Sequence, residues 1–333
     1  MRTFVGTRAV VAVVAAVVAI VGGLAFIGRP LPAQATPSDA TASLLADYKW
    51  RNIGPGSPGG RISDVEALDS DFRYVIAAAA SGGVWKSTNA GTTWTPIFER
   101  YGSSSIGDVK IFQGDRNILW VGTGEANNRN SVAWGDGIYK STDAGKTFTN
   151  VGLRNTFQIA RIVTHPKNAD IAYVAAVGNL WASTGERGLF KTIDGGKNWQ
   201  KLAGGLPNVP TSGATDLVMD PTNPEVLYTA FYERVRLPWR LESGGTNGGI
   251  FKSTDGGKSW KKLVQGLPAG WTGRIGLDIY RKNPRVLMAI VEADGAAADM
   301  VTPAQGIYRS EDGGATWKFV NRYNNRPFYY SQI

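Results

Sequence analysis

The sequence predicts an all-β fold, and three observations carry that prediction. One eight-residue phrase, Ser/Thr-x-Asp/Asn-x-Gly-x-x-aromatic, occurs five times at separations of 51 to 61 residues. Glycine contributes 42 of 333 residues and aromatic residues 11%, which suits many short strands joined by tight turns. Apolar residues beyond position 40 show no helical period. A repeat of this length, with four strand-like runs in each period, predicts a β-propeller of four-stranded antiparallel blades.

The first 35 residues have the pattern of a targeting segment and are set apart from the fold. Arg2 and Arg8 precede an apolar run over residues 9–27, and residues 33–35 read Ala-Gln-Ala, a small-x-small cleavage pattern. The run of 19 residues is also long enough to span a bilayer, so a retained membrane anchor is the alternative to a cleaved signal peptide. Both alternatives predict an exported protein, either secreted or held in the periplasm or cell envelope.

Residues 36–54 are predicted to be a linker that carries a lone strand, 48–53, for closing the ring. Residues 55–333 are predicted to form the propeller. In its third period the strands are expected at 161–164, 171–176, 188–191 and 199–202, and the fourth and fifth periods repeat this plan. Five blades are present, and residues 326–333 are predicted to be the innermost strand of a sixth. The sequence therefore predicts an incomplete ring that continues beyond residue 333.

The composition removes several classes of chemistry. There is no cysteine and one histidine, so disulfides, thiol catalysis and multi-histidine metal sites are excluded. His165 precedes a proline and is interpreted as a turn residue. The formal net charge of +9 falls by three when Arg2, Arg8 and Arg29 leave with the first 35 residues, and no block of basic residues remains. We therefore expect no cofactor, no metal and no nucleic-acid partner.

The repeated phrase has the properties of a hairpin corner. Its third residue carries a short side chain that accepts hydrogen bonds from backbone N–H groups, and its fifth, always glycine, permits a positive φ. The hydroxyl and the aromatic ring are expected to tie the corner to the next sheet. The third residues are predicted to be structural, with calcium binding as an alternative; they are Asn89, Asp143, Asp194, Asp255 and Asp312.

This phrase resembles the Asp-box, or BNR repeat, of sialidases, sortilin-type receptor domains and xyloglucan-active glycoside hydrolases. The resemblance covers about residues 55–320. Over these residues the chain is similar to secreted bacterial Asp-box propellers with sortilin (VPS10)-like N-terminal domains, which are labelled glycosyl hydrolases by fold. It implies the propeller and says little about activity. In xyloglucan-active relatives a catalytic aspartate precedes a Gly-Gly-small-aromatic phrase. The matching residue here is Ala80, which cannot transfer a proton.

Sialidases bind a carboxylate with three arginines near the axis. Arg61, Arg161 and Arg274 are predicted to occupy equivalent places on the first, third and fifth inner strands, but the proline of the sialidase phrase is missing. The expected tyrosine and glutamate pair also has no assignable counterpart. We therefore expect these arginines to bond to neighbouring blades.

Long loops between the second and third strands should lie on the face opposite the repeated corners, where binding residues concentrate. We call this the long-loop face; its loops are 122–137, 178–188, 232–249 and 292–306. Flat aromatic rings beside charged groups suit sugars or extended peptides, although the same residues could pack the loops onto the blades. The candidate ligand-binding residues are Glu125, Arg129, Trp134, Asp136, Trp181, Arg187, Arg234 and Trp239.

These observations predict an exported, non-catalytic binding or scaffold propeller that recognises a peptide, protein or polysaccharide in the cell envelope. A membrane is a partner only if the N-terminal segment is retained. The alternative is an Asp-box carbohydrate-active hydrolase of glycosidase type. Glycoside hydrolysis needs two carboxylates across the sugar, and that pair is unassigned here; Glu125 and Asp136 are the candidates for it.

Overall fold

A computed structural model describes residues 61–184, 186–293 and 305–333. The predicted targeting segment and the predicted closing strand lie outside these residues. Within the described ranges, no helix has both the length and the apolar character needed to cross a membrane. The described residues form five antiparallel sheets, and in four of them all consecutive strands pair as a simple meander.

The predicted propeller architecture is confirmed, with one blade for each repeat. Blade 1 contains β1 (Ile62–Leu68), β2 (Asp71–Ala79), β3 (Gly83–Ser87) and β4 (Thr95–Pro96). Blade 2 contains β5 (Ile106–Ile111), β6 (Leu119–Thr123), β7 (Ile138–Ser141) and β8 (Thr149–Asn150). Blade 3 contains β9 (Ile159–Thr164), β10 (Ala172–Ala176), β11 (Gly188–Thr192) and β12 (Gln200–Leu202), after a 3-10 turn at Arg154–Thr156.

Blade 4 differs from the others because its second strand is extended into an additional hairpin. It contains β13 (Ser212–Met219), β14 (Leu227–Leu237), β15 (Arg240–Ser243), β16 (Gly249–Ser253) and β17 (Lys261–Lys262). Strand β15 pairs only with the far end of β14. Blade 5 contains β18 (Thr272–Ile279), β19 (Leu287–Ala293), β20 (Gly306–Ser310) and β21 (Lys318–Asn321).

The prediction of a sixth inner strand over residues 326–333 is wrong in its secondary structure. A single helical turn, α1 (Pro327–Tyr330), begins after Arg326, whose φ is 55°. Proline fixes φ near the helical value and needs no hydrogen-bond acceptor in a first turn, so it favours this start. The following residues still lie beside β18, since a Cβ placed on Gly276 would be 2.9 Å from the carbonyl oxygen of Ser331.

The apolar core is divided into four clusters, and each one joins two consecutive blades. Between blades 2 and 3, for example, Trp120 is fully buried against Ile159 and Ile162. Full burial of such a side chain contributes about 2–3 kcal/mol. The fold is therefore stabilised from blade to neighbouring blade. Among the described residues, no such cluster joins blade 5 to blade 1.

The five corners share one hydrogen-bonding scheme. In the second, Asp143 Oδ1 accepts from Ser141 Oγ at 2.8 Å and from the backbone N–H of Thr147 at 2.9 Å, and Gly145 N–H donates to Ser141 Oγ at 2.9 Å. The hydroxyl of Thr147 also donates to Asp143 Oδ2 at 2.6 Å, and this bond, with those from the Thr147 backbone N–H and Ser141, lowers the pKa of Asp143 to about 2. The Ser141 hydroxyl thus serves the turn itself, contrary to the expectation that it ties the corner to the next sheet.

The turn has two residues in the left-handed region, whereas the sequence indicated only one, the glycine at the fifth place. Both its fourth and fifth residues have positive φ, and the fourth is alanine in the first two corners, with φ of 55° at Ala90 and 61° at Ala144. The aromatic ring packs against the preceding blade, not the next one. Trp199 of blade 3, for example, donates from Nε1 to the carbonyl of Val151 and meets Trp120 edge-on.

A lysine that the sequence analysis missed connects each blade to the following corner. It lies one residue before the repeated phrase and donates to the carbonyl of the fourth residue of the next corner. Lys191 Nζ, for example, lies 2.9 Å from Gly256 O and 5.0 Å from the centre of the Tyr173 ring. The four pairs are Lys86 with Ala144, Lys140 with Gly195, Lys191 with Gly256 and Lys252 with Gly313.

Candidate functional site

The meander order places the repeated corners and the long loops at opposite ends of the strands. The turns between first and second strands and between third and fourth strands share one end, so the connection between second and third strands lies at the other. In blade 1 this connection is short, from Ala79 to Gly83. In blades 2 and 3 it is long, 124–137 and 177–187, and in blade 4 it contains the β14–β15 hairpin.

Glu125 is a buried structural residue at the base of the blade 2 loop. Its side chain has no exposed surface, and both oxygens accept from the Arg61 guanidinium, at 2.9 Å from Nε and 2.5 Å from Nη2. Its backbone N–H donates to Ser105 Oγ. Because a two-bond ion pair fixes both carboxylate oxygens, Glu125 is poorly suited to hold or transfer a proton.

Asp136, at the other end of the same loop, is also engaged. Its Oδ2 accepts from Tyr139 OH at 2.6 Å and from Arg154 Nη1 at 3.2 Å, and its backbone N–H donates to Thr123 Oγ1 at 2.8 Å. The side chain keeps 25% of its surface exposed. Asp136 thus anchors the loop to β6 and β7 and reaches solvent with one edge.

The three candidate tryptophans differ in exposure. Trp239 lies in the tight turn of the β14–β15 hairpin and is 77% exposed. Trp134 is 54% exposed and rests edge-on against Phe157, with ring centres 5.5 Å apart. Trp181 is half-buried, and its backbone N–H donates to Asn179 Oδ1. Two flat rings are therefore open to a ligand on this face.

Arg187 and Arg234 lie beneath the loops, so the interpretation of these two residues as direct ligand contacts is wrong. Arg187 is 4% exposed and donates to loop carbonyls, among them Val177 O and Ala182 O, both at 2.8 Å. Arg234 is fully buried and donates to Ala126 O at 2.9 Å and to the side chain of Gln158. Both position loops, whereas Arg129 is half-buried.

The three arginines compared with a sialidase triad do not converge on one ligand. Arg61 binds Glu125, while Arg161 lies at the propeller axis. Arg274 donates from its backbone to Glu292 Oε2 at 2.7 Å and from Nη1 to Tyr329 O at 2.8 Å. The expected bonding to neighbouring elements is observed. The predicted equivalence of their positions is wrong for Arg161. It pairs with Ala175 of β10 as Asp64 pairs with Ala78 of β2, so it occupies the place of Asp64 and not that of Arg61.

At the axis, three aspartates surround Arg161. Its Nε donates to Asp216 Oδ1 at 3.0 Å, and its Nη1 lies 3.4 Å from Asp108 Oδ1 and 3.8 Å from Asp64 Oδ1. Burial, assisted by Asp64, raises the pKa of Asp108 well above its usual range. The charge of Asp216 raises the pKa of Arg161, which stays protonated.

Each axial aspartate also binds the inner strand of the next blade. The second carboxylate oxygen of each aspartate accepts a hydrogen bond from a backbone N–H of the next blade's inner strand. Val109 donates to Asp64, Ile162 donates to Asp108, and Leu277 donates to Asp216. Sequence analysis missed this set. A recurring signal existed, since each aspartate directly precedes Val65, Val109 or Leu217 near the start of an inner strand.

The axial residues separate two cavities. A small polar one toward the long-loop face, about 10 Å³, is lined by Ala126 and Asn127 of the blade 2 loop. A larger one of about 410 Å³ lies toward the corner face and includes Asp64, Lys110 and Arg161 in its lining. Sequence reasoning placed binding on the long-loop face alone, whereas the larger concavity of the described residues lies on the other.

The model of the Sortilin-Vps10 family, described as sortilin, neurotensin receptor 3, matches residues 136–302, which is half of the chain. The chain belongs to the Sortilin-Vps10 family. The match begins at the end of the blade 2 loop and runs into blade 5, so it includes the β14–β15 hairpin and both buried arginines.

Curated relatives of this Sortilin-Vps10 chain include two bacterial xyloglucanases. Xyloglucanase Xgh74A of Acetivibrio thermocellus is 24% identical over an alignment that covers 93% of this chain and 43% of that protein. A xyloglucanase of a Paenibacillus species is 25% identical over an alignment that covers 100% of this chain and 37% of that protein. The chain thus spans less than half the length of these relatives.

Among solved structures, the crystal structure of an ancestral GH74 enzyme matches with a TM-score of 0.60 at 23% identity. The match covers 81% of this chain and 32% of that one. At this identity the likeness supports the β-propeller fold and leaves the chemistry to the residues of this chain.

Proposed function

We propose that this chain binds a polysaccharide on its long-loop face. Two exposed tryptophans, Trp134 and Trp239, carry the proposal, because they present flat apolar rings on loops of different blades. Sugar rings stack on such faces. The blade 2 loop that carries Trp134 is fixed by the hydrogen bond from Arg234 to Ala126 O, and Trp239 is held in the turn between the paired strands β14 and β15. The relatives named xyloglucanase support a polysaccharide over a peptide or protein partner.

The test uses soluble xyloglucan and the full chain in affinity gel electrophoresis or calorimetry. The double variant Trp134→Ala/Trp239→Ala is expected to weaken xyloglucan binding by at least about tenfold, since each exposed ring contributes on the order of 1 kcal/mol. Trp94→Ala is the matched control, because Trp94 is 39% exposed but lies in a corner at the opposite face. Equal loss in control and double variant would contradict a site on the long-loop face.

Hydrolysis of a β-glucan is the second candidate, and the names of the relatives favour it. The geometry of the described residues favours binding alone, since Glu125 is locked by Arg61 and Ala80 stands at the position expected for an acid. Asp136 is the candidate that keeps solvent access. We expect the chain to release no reducing sugar from xyloglucan; release that Asp136→Asn abolishes, with binding intact, would establish the hydrolase instead.

We also propose that the protein is exported and meets its polysaccharide outside the cytoplasmic membrane. The basic and apolar pattern of residues 2–27 supports export, as does a polysaccharide partner of the kind named in the relatives. Fusion of residues 1–40 to a reporter enzyme that is active only after export tests this. Activity that requires Arg2 and Arg8 is the expected result.

A further inference from the structure

Four arginines of the long-loop layer carry positive charge that no carboxylate of the described residues neutralises. They are Arg129, Arg187, Arg234 and Arg236, and none forms an ion pair within the described residues. Arg187 and Arg234 bond only to carbonyl and amide oxygens. Buried charge without a counter-ion is costly, so this arrangement needs a reason.

Contacts bring the four residues into one layer between blades 2, 3 and 4. Arg234 Nη2 lies 3.2 Å from Gly178 O, and the Arg187 side chain packs over the same glycine, whose Cβ would lie 2.9 Å from Arg187 Nε. Arg236 donates its backbone N–H to Leu180 O at 2.7 Å. Arg129 directly follows Asn128, which accepts from Arg234.

The layer also contains buried donors that have no acceptor. Nε of Arg129, Arg187 and Arg234, Nη1 of Arg236 and Nε2 of Gln158 are buried and unpaired. Burial lowers the pKa of Arg234 to about 9 and that of Arg187 to about 10, and repulsion from the charge of Arg187 lowers the pKa of Arg234 further. An anion nearby would relieve both the repulsion and the desolvation.

Resting on the proposed polysaccharide binding, we propose that this arginine layer makes the long-loop face selective for a polysaccharide that carries carboxylate groups. Arg129 and Arg236, the two half-buried members, contact the carboxylate, because a guanidinium matches its two oxygens. Arg187 and Arg234 hold the loops and add positive potential from beneath. Trp239, at the end of the hairpin that carries Arg236, receives the sugar ring, which favours a uronate polymer over an acidic peptide.

The experiment compares the full chain with polygalacturonate, its fully methyl-esterified form, neutral xyloglucan and polyglutamate. We expect polygalacturonate to bind at least about tenfold more tightly than the methyl ester at low ionic strength, with the difference reduced by salt. Arg129→Gln/Arg236→Gln is expected to remove this preference, so that the ratio of the affinities for polygalacturonate and its methyl ester falls to about one. Arg240→Gln is the matched control, because Arg240 belongs to the same hairpin but pairs with Glu242.

The outcomes distinguish carboxylate selectivity from polysaccharide binding as such. Binding of xyloglucan without any preference for polygalacturonate over its ester overturns the carboxylate selectivity and leaves polysaccharide binding standing. Binding of no polysaccharide overturns the proposed function itself. Polyglutamate that binds as tightly as polygalacturonate, with the same loss in the double variant, overturns the assignment to a sugar. Arg129→Lys/Arg236→Lys keeps both positive charges and is expected to retain an intermediate preference for polygalacturonate over its methyl ester. A preference reduced as far as in the Gln variant would contradict a role for positive charge in the selectivity.

Discussion

Blade 1 and blade 2 have the same strand plan, yet corresponding residues differ sharply in burial. In the inner strand of blade 1, Ile62 is 59% exposed and Val65 is 56% exposed. Their counterparts in blade 2, Ile106 and Val109, are 0% and 2% exposed. Blade 2 packs on blade 1, whereas blade 1 has no preceding blade among the described residues. A repeat residue is therefore buried by its neighbour and not by its own blade.

The corner aromatics follow the same rule. Trp260 and Trp317 are 7% and 4% exposed, while Trp94 of blade 1 is 39% exposed. Each ring packs against the blade before its own, as with Trp260 in the cluster between blades 3 and 4. One face of blade 1 therefore keeps apolar contact residues that no apolar cluster of the described residues covers.

Removing an inner-strand side chain gives the largest expected effect. Ile106→Ala should lower the free energy of unfolding by about 3 kcal/mol because it opens a cavity between two blades. Ile62→Ala, at the corresponding exposed position, should stay within about 0.5 kcal/mol. Urea denaturation of both variants checks the pair. A comparable loss in Ile62→Ala would mean that the blade 1 face is covered.

Breaking one lysine connection between blades should have a smaller effect. Lys191→Met removes the hydrogen bond to Gly256 O and the contact over Tyr173, and is expected to cost about 1–2 kcal/mol. Arg309→Met in blade 5 is the control, since Arg309 is half-exposed and pairs with Glu311. Its expected cost is within about 0.5 kcal/mol. Equal melting temperatures for the two variants would contradict the connection.

Relieving backbone strain in a corner should stabilise the protein slightly. Ala144→Gly should raise the free energy of unfolding by about 0.5 kcal/mol, because the left-handed penalty for alanine exceeds the extra entropy of glycine in the unfolded chain. Gly195→Ala, at the same turn position in blade 3, should lower the free energy of unfolding. Thermal melts of the two variants that shift in the same direction would rule out this account.

The smallest expected effect is a difference in acid sensitivity between corners. The pKa values of Asp143, Asp194 and Asp312 are held down at about 2 by hydrogen bonds from the turn, so their contribution is present above the ordinary value near 4. It is lost as the pH falls from about 4 to about 2. Blade 1 has Asn89 at this place, which does not titrate.

Amide hydrogen exchange reports the acid effect corner by corner. After correction for intrinsic rates, protection of Thr147 and Thr316 should fall between pH 4 and pH 2, because their N–H groups donate to the titrating carboxylates. Protection of Thr93, which donates to Asn89, should change less. A uniform loss across all corners would point to global unfolding instead.

The sequence by itself determined the propeller, its blades and its corners. The repeated phrase encodes a local turn whose hydrogen bonds join residues at most four positions apart, as between Asp143 and Thr147, so a short window suffices to predict it. The long loops also follow from the spacing between strands. Residues 326–333 show where local pattern fails, because Pro327 favours a helical turn over the predicted innermost strand of a sixth blade.

Only the tertiary structure decided which charged residues face solvent. Arg234 and Trp239 lie five positions apart in the β14–β15 hairpin, yet the first is fully buried and the second is 77% exposed. Partners of Arg234 come from blades 2 and 3, at Ala126 and Gln158, and no local signal encodes them. Likewise, the axial ring of Asp64, Asp108 and Asp216 around Arg161 exists because consecutive blades meet at one axis, which is a property of the assembled ring and not of any single repeat.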